Sequence, residues 1–157
     1  MGAPRPSSLT IPPGAQSMAL PPEHPLAGLE EADLGQFAVE DWVHYDFRDE
    51  IGNRIVSQAC AGAGFTPRYT VRAADHVSGL AFVAAGVGVA LVPGLVVGWS
   101  AFDVAYVRPR NPTPQRRIIA LVRDSERTNP PAVRTLAVLG GLGRELDDLG
   151  RGTVAAC

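Results

Sequence analysis

Two short stretches of this chain gather side chains able to bind a small molecule. They are Tyr45-Asp46-Phe47-Arg48 and Ala74-Asp75-His76-Val77-Ser78. Arg48 offers a planar fork of donors suited to a carboxylate, and Tyr45 and Phe47 can stack on or enclose an apolar body. His76 and Ser78 can hydrogen-bond a polar edge, while Asp75 precedes an apolar run in the position of a helix N-cap. Each residue alone also has an ordinary structural reading. Arg48 can pair with Asp46 or Glu50 at the surface, Asp75 can merely cap its helix, and Phe47 can belong to the core. Taken singly, those readings are the better ones. The cluster as a group points to a site for an anionic aromatic or carboxylic ligand.

The elements that would position this cluster alternate between strand and helix after about residue 40, the pattern of a sheet covered on both faces. Trp42 to Tyr45 reads as a strand. A helix begins near Arg48 or Asp49, carries Ile51, Ile55, Ala59 and Cys60 on one face, and closes at Gly62 or Gly64. Tyr69-Thr70-Val71 is a second strand, and Asp75 opens a helix through Leu80, Phe82, Val83 and Ala84 to Gly86. Val87 to Val92 is a nearly continuous apolar strand of the kind buried on both faces, ended by Pro93. Asp103 to Val107 and Arg117 to Arg123 are further strands, joined by a Pro-rich, Arg-containing loop from Arg108 to Gln115. A last helix, at about 131–147, carries Val133, Leu136, Ala137, Leu139, Gly140 and Leu142 as an apolar stripe, with Arg134, Arg144, Glu145 and Asp147 facing water. In such an open sheet, ligands bind at the carboxyl ends of strands, where helix N-termini supply free amides. Both stretches of the candidate cluster fall at such ends.

Composition narrows the function classes. With 157 residues, 46% hydrophobic and 19% charged, the chain can bury the core of one soluble domain. A formal charge of −2 leaves no basic footprint for nucleic acid, so direct DNA or RNA binding by this chain is not expected. All fourteen basic residues are Arg, which reads as a GC-rich coding sequence. Cys60 and Cys157 are too few and too far apart for a disulfide framework or a metal site, and a reducing cytoplasm follows as the default. His24 and His44 lack metal-ligand spacing, so no metal and no cofactor is expected. Catalysis is not expected either, because the serines lack a nucleophile-elbow context and Cys60 sits mid-helix with nothing to lower its pKa. The stretch between His76 and Asp103 has no ionisable residue, yet Gly86, Gly88, Pro93 and Gly94 interrupt it. It reads as a buried helix, turn and strand, not a membrane span. The first 22 residues are crowded with Pro, Ser and Ala and lack the apolar run of a signal peptide, so disorder is expected there, as is fraying over 150–157.

Three motifs, in their order and spacing, resemble one family. They are His24-Pro25-Leu26-Ala27, then Gly64-Phe65-Thr66-Pro67, then the run from Phe82 through Gly86-Val87-Gly88-Val89-Ala90-Leu91-Val92-Pro93. The family is the LysR-type transcriptional regulators, and the resemblance covers roughly residues 18–146. It implies a periplasmic-binding-protein-like (type 2) α/β subdomain, with a mostly parallel sheet, helices on both faces and a C-terminal helix, occupying residues 23–149. It implies a small-molecule effector held between two such subdomains, of which only the second is matched here, and no winged helix for DNA. His24 then serves a hinge turn, and Met18 competes with Met1 as the true start. The terminal helix of the family packs on the first subdomain, so its stripe is expected to be exposed and the chain marginally stable. The leading expectation is an effector-sensing domain. Its alternative is a protein-interaction fragment, associating through the subdomain edge or the last helix, or the remnant of a truncated regulator gene.

Overall fold

In a computed structural model, residues 7–45, 50–98 and 101–151 are described. The chain divides into two compact units, Ala15–Gln115 and a second formed by the residues up to Gly14 with those from Arg116 onward. The sequence reading joined these into one domain.

The elements of the first unit follow a strand and helix alternation. Its strands are the inner part of β1 (Ser7–Leu20), β2 (Glu31–Asp33), β3 (Asp41–Tyr45), β4 (Arg68–Ala73), β5 (Ala90–Pro93) and β6 (Ala105–Arg110), with α1 (Glu50–Gly62) and α2 (His76–Ala84) between them. Strands β2, β6, β1 and β5 are neighbours in that order, and β3 pairs with β4. The two groups are joined through Val89, whose N–H donates to the Asp41 carbonyl at 2.8 Å and whose carbonyl accepts from Val43 N–H at 2.9 Å. The spatial order is therefore β4-β3-β5-β1-β6-β2. Pairing is parallel for β3 with β4 and for β2 with β6, but β1 runs antiparallel to both β5 and β6. Of these six strands only β1 is reversed, so the sheet is mostly parallel, as expected, with one antiparallel strand that enters its centre from outside the βαβ succession.

That strand is also the main departure from the sequence reading, which expected disorder over residues 1–22. Met18, Ala19 and Leu20 are fully buried, and β1 pairs with β5, β6 and β7. Composition counts Pro and Ser but is blind to partner strands that lie seventy or more residues away. Side chains alternate across the sheet with a period of two. Met18, Leu20, Trp42, Val89 and Leu91 join a core with Ala59 and Cys60 of α1, whereas Ala19, Val43, Tyr45, Ala90 and Val92 join a second core with Leu80 and Val83 of α2. Trp42 anchors the first core, its Nε1–H donating to the Phe37 carbonyl at 3.1 Å.

Both helices end on glycine in the left-handed region, Gly64 at φ 85° and Gly86 at φ 75°. In each case the following residue closes a six-residue loop, Phe65 N–H to Cys60 O and Val87 N–H to Phe82 O. This cap takes Val87 out of the strand expected over Val87 to Val92, which starts at Ala90 instead. Gly88 lies against the β3 backbone so closely that a Cβ there would sit 2.4 Å from the Asp41 oxygen. The segment expected as a Pro-rich, Arg-containing loop from Arg108 to Gln115 is partly β6, where the register sets Arg108 beside Glu31 and Arg110 beside Asp33 as ion pairs of 3.1 and 3.0 Å.

The second unit contains β7 (Gln115–Val122), which pairs with β1, and α3 (Pro130–Arg151), four residues longer at its C-terminal end than the expected helix. Val133, Val138 and Leu142 are exposed on α3, as are Ile119 and Leu121 on β7. Of residues 150–157, expected to fray, 150 and 151 belong to α3 and 152–157 lie outside the described residues.

Candidate functional site

The carboxyl ends of β3 and β4 bring Tyr45 beside the start of α2. Asp75 takes extended backbone angles and caps that helix, its Oδ1 accepting from Ser78 N–H at 2.7 Å and from Ser78 Oγ–H at 2.9 Å. Asp75 N–H in turn reaches Ser78 Oγ at 3.3 Å, completing a capping box. The Ser78 amide, followed by the Ser78 hydroxyl, holds the exposed Asp75 carboxyl below its usual value. These two residues satisfy one another, as the structural reading of Asp75 anticipated. Val77, in the first turn of α2, is 67% exposed.

Tyr45 and His76 do come together. Their ring centroids lie 4.7 Å apart, edge to face at 61°. Tyr45 is only 8% exposed, and the Cε1 edge of its ring meets Gly79 of α2, where an added Cβ would fall 1.9 Å from Tyr45 Cε1. Glycine at 79 thus lets the helix approach closely enough for His76 to reach the ring. Burial, followed by the nearby Tyr106 phenol, pushes the Tyr45 hydroxyl far above its usual pKa. The group stays a neutral phenol at any physiological pH, able to donate one hydrogen bond and accept others.

Asp46, Phe47 and Arg48 lie outside the described residues. Of the remaining candidates, the structure brings Tyr45 and His76 into contact and commits Asp75 and Ser78 to the cap. Sequence reading passed over Tyr106 on β6, which belongs to the same apolar cluster as Tyr45. The only available signal was an aromatic residue carrying a hydroxyl in the Ala105-Tyr106-Val107 alternation, and that pattern fits any half-buried strand. His44 turns instead to Tyr69, with centroids 4.5 Å apart. His24 serves the turn expected of it, with Nδ1 accepting from Leu26 N–H at 3.1 Å and Nε2 lying 3.4 Å from a Glu40 oxygen. Cys60 is wholly buried, and burial pushes its thiol up to about 11, which leaves little nucleophilic thiolate. Among the described residues no group of three or more His, Cys, Asp and Glu could hold a metal ion, and no helix is long and apolar enough to cross a membrane.

This architecture and its motifs have known counterparts. Residues 15–139 match the family described as the LysR substrate binding domain. The chain belongs to that family. A relative of this LysR domain, the HTH-type transcriptional regulator ShiR of Corynebacterium glutamicum strain R, is 37% identical over 75 residues, covering 47% of this chain and 25% of ShiR. Among solved structures, a Corynebacterium glutamicum OxyR C206 mutant superposes with a TM-score of 0.76 at 21% identity, over 94% of this chain and 46% of that one. The BenM effector binding domain with its effector benzoate superposes with a TM-score of 0.73 at 19% identity, over 98% of this chain and 68% of that domain. The LysR domain described here thus spans half or less of the length of ShiR and OxyR, and it shares with the solved structures the fold of LysR effector-binding domains.

Proposed function

We propose that this chain senses a small carboxylate or aromatic acid as the effector-binding part of a LysR-type transcription regulator in the cytoplasm. The observation that carries this reading is the Tyr45–His76 ring pair at the carboxyl end of β3, the edge at which open α/β sheets hold their ligands. The ring edges supply an apolar contact, and His76 supplies a polar nitrogen at the rim. Arg48, directly beyond β3 in sequence, is assigned to the carboxylate. The role is binding and not catalysis, since the one described thiol is buried and protonated. With a net charge of −2, DNA contact falls to other parts of a regulator. The exposed apolar residues of β7 and α3 favour, as a second reading, association with another chain.

Thermal unfolding of the chain with and without benzoate, salicylate and aliphatic carboxylates tests the sensing role. One acid class raises the midpoint, and at a hundredfold excess over its Kd the gain is about 2.7 kcal/mol. Arg48→Ala weakens that binding at least about tenfold with the unfolding midpoint of the free protein unchanged. A chain whose midpoint responds to no acid is not an acid sensor.

A further inference from the structure

We draw no further inference here: the strongest candidate, the exposed apolar surface of the second unit at Ile119 and Leu121 of β7 and Val133, Val138 and Leu142 of α3, carries nothing because nothing in the structure shows what covers it.

Discussion

The two units of this chain handle the same kind of apolar run in opposite ways. Between Ala15 and Gln115, strands such as β5 have both faces covered, with Ala90, Leu91 and Val92 all buried. In β7 the residues Ile118 to Val122 are just as continuously apolar, yet Ile119 is 47% and Leu121 67% exposed. Among the described residues, every buried hydrophobic side chain belongs to the Ala15–Gln115 unit. An apolar pattern tells which face of a strand or helix seeks cover. It does not tell whether cover is present, because that depends on elements distant in sequence.

Substitutions sharpen this contrast. Trp42→Ala empties the centre of the first core and leaves the Phe37 carbonyl with only the Glu40 N–H, so unfolding by denaturant should show a loss of about 3–5 kcal/mol. Gly79→Ala and Gly88→Ala follow, at about 1–3 kcal/mol each, since the new methyl meets the Tyr45 ring in one case and the Asp41 backbone in the other. They separate by function: Gly79→Ala displaces Tyr45 and weakens acid binding, whereas Gly88→Ala acts first on the join between β3 and β5. If Gly79→Ala stabilises the protein, as alanine does in an open helix, Tyr45 is not held as described.

Labelling of Cys60 reports on the first unit alone. In a Cys157→Ser background the thiol, pushed up to about 11 and fully buried, should react with iodoacetamide only as fast as that unit opens, and Trp42→Ala should speed the reaction. The pH dependence is smaller. The Asp75 carboxyl is held below its usual pKa by Ser78, so its stabilising effect is complete above the unfolded value of about 4 and is lost as pH falls through the lowered folded value. Asp75→Asn should flatten the acid limb of the stability curve. The least effect belongs to the second unit, where Leu121→Ala and Val138→Ala should change stability by no more than about 0.5 kcal/mol. A loss of several kcal/mol there would show that those side chains are covered in solution and would end the contrast.

Much of the first unit was legible in the sequence because its signals are local. The Asp75 cap, the glycine stops at Gly64 and Gly86, and the strand at Trp42 to Tyr45 each depend on residues within one turn or one strand of each other. Of β1, only its end at Met18 to Leu20 showed, through the family resemblance, because its stability comes from β5, β6 and β7, and the short β2 was missed because three residues carry no period. The candidate site was legible in part. Tyr45 and His76 were singled out as neighbours of strand ends, but Asp75 and Ser78 could be assigned to the cap or to a ligand until their mutual hydrogen bonds were seen. Tyr106 carried no local mark at all.

The sequence by itself determined the family, the alternation of strands and helices, the helix caps and the residues that stand at the carboxyl ends of β3 and β4. Spacing, capping chemistry and hydrophobic period are properties of contiguous residues, so they can be read along the chain. Only the tertiary structure decided the antiparallel insertion of β1, the close seating of α2 on Tyr45 over Gly79, and the burial of the Tyr106 hydroxyl. Each of these depends on groups brought together from distant parts of the chain, and their energetics exist only once the intervening water has been removed.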